Sequence, residues 1–527
     1  MARVRNVLFL MCDQLRWDYL SSYGHPTLQT PNLDALAERG VRFTNAFVQS
    51  PSCGPSRMSF YTGRYVNSHR SFANFVPLPV DELTIGDYLR PLGIQAVLEG
   101  KTHVEPNFAA LNRLGVDLTS AAGRMACAGG FVERDRHDGV LADPSSDEAL
   151  CNQYARFLRE RGYHSDNPWL DFANSGQSPA GEVLSGWSLR HARLPARVKE
   201  EHSETAYTTQ RGIDFIRAQG DSPWFLHLSY IKPHWPYVAP APYHAAYNAG
   251  HVIPARRNDA ELEQPHPLYA SYLKHAASQT FSLDKTRETV IPVYMGLIKQ
   301  IDDQLGKLFE FLDRSGRMGD TLIVFTSDHG DYLGDHFLGE KELYHDCVNR
   351  IPLIVYDPDA RSDSTRGTAC SSLVESIDIL PTCLNALGLA PPSDTLEGRS
   401  LLPLLESGET TGWRDRVYCE FDYSFRGETR RELGRSPKHC ATFTIRTQEW
   451  KYVHVDGFRP ILFDLRNDPD EFHDLGADPN YESVCRDFQS DLFCWLIARK
   501  RYTSVNESYV TGFLNDARFN SMAIGQW

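Results

Sequence analysis

The sequence predicts an α/β fold: a large, mostly parallel (mixed) central sheet flanked by helices, with a smaller C-terminal α+β domain on an antiparallel sheet. Three observations carry this. Four short apolar, β-rich runs end abruptly in polar residues: "NVLFLMCDQ", "IQAVLEGKTH", "PWFLHLSYIKPH" and "DTLIVFTSDHG". Continuous apolar runs of this kind fit strands buried on both faces. Helical patterns separate them, the alternation typical of an α/β layer structure. After "LEGRSLLPLL" the segments "HCATFTIRT", "EWKYVHVDG" and "PILFDLRNDPDEFHDL" read instead as antiparallel strands joined by turns.

Along the chain, the opening "MARVRNVLFLMCDQ" imitates a signal peptide, but the run Val7 to Met11 is too short and Asp13 follows at once, so it reads as the first strand. "TPNLDALAERG" is the first helix. Leu297, Ile298, Ile301, Leu305, Leu308, Phe309 and Leu312 recur at helical spacing before the fourth run, and Gly316 ends that helix. The expected division is a catalytic α/β domain over 1–404, an α+β subdomain over 405–498 and an aromatic C-terminal arm over 499–527. Residues 125–201 are polar and weakly periodic, and read as an excursion from the sheet, a lid or an oligomer contact.

The net charge of −14 argues against nucleic acid or an anionic membrane as partner, and no apolar run reaches membrane-spanning length. Eleven cysteines lie scattered without a CxxC pair, which suggests reduced thiols in a cytoplasm and makes the sequon at Asn506 a chance match.

In open parallel sheets ligands bind beyond the carboxyl ends of the strands. The four runs deliver Asp13 and Gln14, Lys101 and His103, Lys232 and His234, and Asp328 and His329 to those ends. Asp13, Asp328 and His329 form a candidate metal set, while Asp331 and Asp335 are expected to cap the following turn. The lysines and histidines would surround an anion held by the metal.

"CGPSR", residues 53 to 57, matches C-x-P-S-R, the signature of type I sulfatases and the related phosphonate monoester hydrolases of the alkaline phosphatase superfamily. The resemblance runs through "TPNLDALAERGVRFTNAF", "TGRY", "GKTH", "PHWP", "TSDHGDYLGDH" and "LFDLRNDPDEFHDL". It implies an alkaline-phosphatase-like fold. It also implies that Cys53 is oxidised to formylglycine by a modification enzyme; the hydrated aldehyde is then the nucleophile and a further metal ligand. Arg57, one helical turn on, steadies that residue; Lys101 and Lys341 hold the sulfate, His103 serves the hydrated aldehyde, and His234 protonates the leaving oxygen.

Two departures shift the expected chemistry. Asp13-Gln14 replaces the usual Asp-Asp, which leaves Gln14 as a hydrogen-bonding neighbour or weak ligand and favours Mn²⁺ over Ca²⁺. "NSHRSFAN" resembles the phosphonate monoester hydrolase branch, where Asn74 matches a substrate-side asparagine, whereas "GKTH" follows the sulfatases. The expected function is therefore a sulfate monoester hydrolase of aryl type, promiscuous toward phosphonate monoesters and phosphodiesters. The alternatives are the reverse preference and an inactive anion-binding scaffold. A small anionic ester as substrate and a homo-oligomer, dimer or tetramer, complete the expectation.

Overall fold

The computed structural model describes residues 3–139, 153–392 and 394–499. Its strands are β1 (Asn6–Asp13), β2 (Val41–Phe47), β3 (Ala96–Gly100), β4 (Val132–Arg136), β5 (Ser175–Gln177), β6 (Val183–Ser185), β7 (Phe225–Pro233) and β8 (Thr321–Ser327). They continue with β9 (Arg350–Tyr356), β10 (Thr368–Cys370), β11 (Val374–Glu375), β12 (Arg416–Asp422), β13 (Ala441–Thr447), β14 (Trp450–Val455) and β15 (Ile461–Asp464).

β1 lies near the middle of the central sheet, whose order is β10-β2-β9-β8-β1-β7-β3-β4, with β11 also paired to β2. β1 is parallel to both β7 and β8, and β3 is parallel to β7. β9 runs antiparallel to β2 and β8, which makes the sheet mixed.

Alternation along a strand sends successive side chains to opposite faces. Leu8, Leu10 and Cys12 accordingly join one core with Ile298, Ile301 and Leu305 of the long helix Asp284–Arg314. Val7, Phe9 and Met11 join the other, with Met58 and Phe60 of the helix Cys53–Thr62 and Leu380 of the helix Ile379–Ala386. Every residue of β1, β7 and β8 is buried, as apolar runs without alternation require.

The 125–201 segment departs from the sequence reading, because its "VERDR" is a sheet strand, β4, parallel to β3. An edge strand needs little apolar surface, and only Asp135 of β4 is buried. Beyond it lies the small β5–β6 hairpin.

The C-terminal strands form a four-stranded antiparallel sheet, β12-β13-β14-β15. Tyr452 packs on Cys485, Phe488 and Leu492 of the helix Glu482–Ile497. Val453 and Val455 face the other way, onto Leu338, Leu343 and Tyr344. Buried Lys451 bonds the Tyr344 carbonyl at 2.9 Å and Asp346 at 2.6 Å. The small sheet thus buttresses the loop that carries Lys341. Residues 500–527 of the expected arm lie outside the described residues.

Candidate active site

The four predicted strand ends meet because β8, β1, β7 and β3 are consecutive and parallel. Asp13 ends β1, Asp328 and His329 follow β8, His234 follows β7, and Lys101 and His103 follow β3. Facing them is the entrance of the helix Cys53–Thr62, all ten of whose residues are buried. Its N-cap, Ser52, makes no side-chain cap; instead the Gly54 amide donates to Asn74 Oδ1 at 2.9 Å. Asn74 therefore caps the backbone beside Cys53, and also accepts from the Ser52 hydroxyl at 3.3 Å. Ser56 ties the helix to the β8 end through the Asp328 carbonyl at 2.6 Å.

Arg57 organises the anions. Its Nε donates to Asp328 Oδ2 at 2.8 Å and its Nη2 lies 3.4 Å from Asp13 Oδ2. Lys101 also pairs with Asp13 Oδ2. The second oxygen, Oδ1, lies 3.8 Å from His329 Nε2 in Asp13 and 3.7 Å in Asp328, where it also accepts from the Gln14 amide at 3.0 Å. Arg57 Nη1 is itself held by the Lys101 carbonyl and Ser229 Oγ, both at 2.9 Å. A planar guanidinium suits this forked arrangement where an ammonium would not.

Cys53 Sγ lies 3.1 Å from His329 Nε2, 3.7 Å from Asp13 Oδ1 and 2.8 Å from Lys341 Nζ. Burial pushes its thiol up, but Lys341, Lys101 and His329 outweigh that and hold it well below the usual thiol range. Burial and Cys53 raise Asp13, and Lys101, His234 and Arg57 more than offset them, so its carboxyl falls below the ordinary range.

His234 donates from Nδ1 to the Trp235 carbonyl at 2.6 Å, which leaves Nε2 facing Lys341 Nζ at 3.3 Å. Burial drops His234 to about 4, with Asp13 acting in the opposite sense. The ring is therefore neutral near pH 7, and Lys341 carries the proton of the pair. His103 adopts a left-handed backbone, φ 56°, and its Nδ1 is buried without a partner. Non-glycine residues held in that region cluster at functional sites.

Two candidates, Lys232 and Asp335, stand elsewhere than expected. Lys232 does not face the anion site: its buried ammonium donates to Asn174 Oδ1 at 3.0 Å and the Pro236 carbonyl at 2.8 Å, and burial lowers it to about 8. Gln14 is a hydrogen-bonding neighbour, its amide spanning Asp331 and Lys341. Asp331 caps the turn through the Leu333 amide at 2.9 Å, as predicted. Asp335 caps nothing in its own turn; it pairs with Arg16 at 2.7 Å and accepts from the Arg256 amide at 3.0 Å, because a cation and a backbone N–H approach it from other segments.

One contributor escaped the sequence reading. Asp138 accepts from the amides of Thr102 and His103 at 2.9 and 3.1 Å and so shapes the turn that presents Lys101 and His103. The same strand-end rule would have reached it had β4 been recognised.

The donors fit a divalent ion. Asp13, Cys53, Asp328 and His329 are buried, and their ligand atoms lie within 4.8 Å of one another. His329 donates from Nδ1 to the Gly330 carbonyl at 2.8 Å, which fixes Nε2 as the free donor, as metal-binding histidines require.

A family model described as Sulfatase matches residues 5–389, and one described as N-sulphoglucosamine sulphohydrolase, C-terminal, matches residues 334–495. The chain belongs to the sulfatase family. A multifunctional alkaline phosphatase superfamily protein from Trinickia caryophylli is 34% identical over 520 residues, 94% of this chain and 95% of that protein. An arylsulfatase from Clostridium perfringens is 28% identical over 496 residues, 90% of this chain and 91% of its own. The phosphonate monoester hydrolase of Silicibacter pomeroyi superposes with a TM-score of 0.80 at 28% identity, covering 94% and 96% of the two chains. That of Agrobacterium radiobacter gives 0.79 at 30%, covering 93% and 95%. The fold is alkaline-phosphatase-like, and this sulfatase-family chain is a hydrolase of the sulfuric-ester class with phosphonate monoester hydrolases among its relatives.

Proposed function

We propose that the chain is a metal- and formylglycine-dependent hydrolase of sulfate monoesters, arylsulfatase-type, with secondary activity on phosphonate monoesters and phosphodiesters. The observation that carries this reading is the position of Cys53: inside the donor set of Asp13, Asp328 and His329, and within reach of Lys341. Two carboxylates, one imidazole and an oxygen at position 53 suit Mn²⁺ better than an all-oxygen Ca²⁺ cage. Bound there, the ion and the hydrated aldehyde together supply an ionised hydroxyl as nucleophile and a second hydroxyl whose deprotonation releases the product anion.

The remaining groups divide the work by position. Arg57 keeps both carboxylates aligned, and Lys101 and Lys341 hold the oxygens of a singly charged tetrahedral centre. His103, whose side chain reaches Cys53, would take the proton of the second hydroxyl. The leaving oxygen fits beside the Lys341 Nζ–His234 Nε2 contact, where this pair supplies its proton. Asn74 fixes the helix entrance on the substrate side.

This reading carries with it a formylglycine-generating enzyme as partner, a homo-oligomeric state and residence in the cytoplasm. The cysteines, free among the described residues, support the last of these. It also keeps the division into 1–404, 405–498 and 499–527. No helix among the described residues is long and apolar enough to cross a membrane.

The reverse preference, phosphonate monoesters or phosphodiesters before sulfate, is favoured by the phosphonate monoester hydrolase neighbours. Mass spectrometry of the Cys53 peptide, with parallel kcat/KM values for an aryl sulfate, a phenylphosphonate monoester and a phosphodiester, tests both. An aldehyde at position 53 and sulfate turnover at least equal to the others are expected. Active protein with an intact thiol overturns the mechanism, and sulfate turnover far below the others overturns the preference.

A further inference from the structure

A cavity of about 600 Å³ lies beside the loops that carry His234 and Lys341. Its lining includes Trp235 and Glu340, the chain neighbours of those two residues. Trp187 and Arg190, which follow the β5–β6 hairpin in the 125–201 segment, and Lys285 of the long helix complete the lining.

The wall is aromatic, and its Trp235 stands against His234. The Trp235 ring centroid lies 4.2 Å from that of His234, and Trp187 lies 5.2 Å from Trp235. Trp187 keeps 46% of its surface exposed, so a flat face is free to accept another ring.

The wall is also fixed. Buried Lys232 ties Asn174 to the Pro236 carbonyl, and the Gly186 amide donates to the Asn174 carbonyl at 3.0 Å. A Cβ at Gly186 would stand 2.4 Å from Val238 and 2.5 Å from the Asn174 carbonyl oxygen, so only glycine permits this approach. These contacts give the relocated Lys232 a purpose: it joins the segment that carries Trp187 to the loop that carries His234 and Trp235.

The rim is cationic. Among the described residues neither Arg190 nor Lys285 has a carboxylate partner; the Arg190 side chain donates only to Ser188 Oγ. The acid of the lining, Glu340, is pushed above the ordinary carboxylate range by burial, against the opposing pull of Lys341 and Arg426.

We propose that this cavity is the leaving-group subsite and takes a flat aromatic alcohol bearing an anionic substituent, the ring against Trp187 and Trp235 and the anion between Arg190 and Lys285. The proposal rests on the proposed assignment of His234 and Lys341 to the leaving oxygen.

The test compares kcat/KM of the full-length, converted enzyme for phenyl sulfate, 3-carboxyphenyl sulfate and an alkyl sulfate. The carboxylated ester should be favoured over phenyl sulfate about fivefold, through KM. Trp187→Ala should lower both aryl values about tenfold and leave the alkyl value unchanged, with Trp187→Phe restoring much of the loss. Arg190→Gln with Lys285→Gln should erase the carboxylate preference alone. Independently of turnover, free hydroxynaphthoate should quench tryptophan fluorescence in the parent chain and markedly less in Trp187→Ala.

Turnover with unchanged ratios in these variants overturns the subsite and leaves the proposed function standing. A converted enzyme that hydrolyses none of these esters but still shows the Trp187-dependent quench overturns the proposed function instead. Quenching equal in parent and variant also overturns the subsite.

Discussion

Two buried clusters among the described residues bring together side chains that bind metals elsewhere: Asp13, Cys53, Asp328 and His329 at the strand ends, and Glu261, His336 and His345 beneath the Lys341 loop. Composition does not separate them; geometry does. In the first, Arg57 and Lys101 occupy one oxygen of the carboxylates, and His329 is locked with Nε2 inward, so donor atoms converge on one point. In the second, the rings of His336 and His345 stack with centroids 3.8 Å apart and 17° between planes, so their nitrogens point side by side. Glu261 takes His336 Nδ1 at 2.6 Å, and His345 Nδ1 bonds the Tyr332 hydroxyl at 2.8 Å. A ligand set needs free lone pairs aimed at one point; two rings stacked face to face, one of them held by Glu261, do not aim theirs so.

The sharpest break between the two comes at position 53. Cys53→Ala removes the nucleophile and should lower kcat on the order of 10⁴-fold or more, with circular dichroism and Tm nearly unchanged. Full activity in this variant would erase the functional distinction. Metal content gives the next contrast. The protein should carry one divalent ion per chain by elemental analysis, and chelation should abolish turnover until Mn²⁺ is restored. Asp13→Asn should lose the ion and about 10³-fold in rate, while Glu261→Gln should retain both. An ion lost from Glu261→Gln would show the second cluster to be the metal centre.

His234 tests a finer point, since its neutral ring leaves Lys341 as the proton carrier. His234→Ala should cost about 10²-fold for a sulfate of a poor leaving group and far less for that of 4-nitrophenol. A loss independent of leaving group would show that His234 only positions the substrate.

The strand ends were legible because a buried parallel strand must be apolar and must stop where polarity begins. Asp13, Lys101, His103, His234, Asp328 and His329 could therefore be placed without coordinates. β9 and β4 were not legible as sheet members: "RIPLIVY" is apolar but carries no sign of its antiparallel direction, and "VERDR" lacks the apolar pattern because it sits at the edge. Side-chain direction was equally hidden. Lys232 and His234 flank one proline, and only the path of the chain turns one ammonium toward Asn174 and the neighbouring imidazole toward Cys53. The Glu261 cluster was invisible because its members, 75 or more residues apart for Glu261 and His336, meet through packing alone.

The smallest expected effect is on stability and concerns that second cluster. Burial would lower His336, but its hydrogen bond and charge interaction with Glu261 outweigh it and raise the imidazole above its ordinary 6.5. Burial and the neighbouring cations, His336 first, hold His345 well below its ordinary value, so only one ring of the stack is charged. A group whose folded pKa is raised stabilises the fold fully below its unfolded pKa, and that contribution fades as pH rises through the folded value. Glu261→Gln should therefore destabilise the protein by about 1–3 kcal/mol in urea unfolding near pH 5.5, and by clearly less near pH 9. A penalty that grows with pH would mean that the pair is not charged in this sense, and the stack would then lose its role as the purely structural member of the comparison.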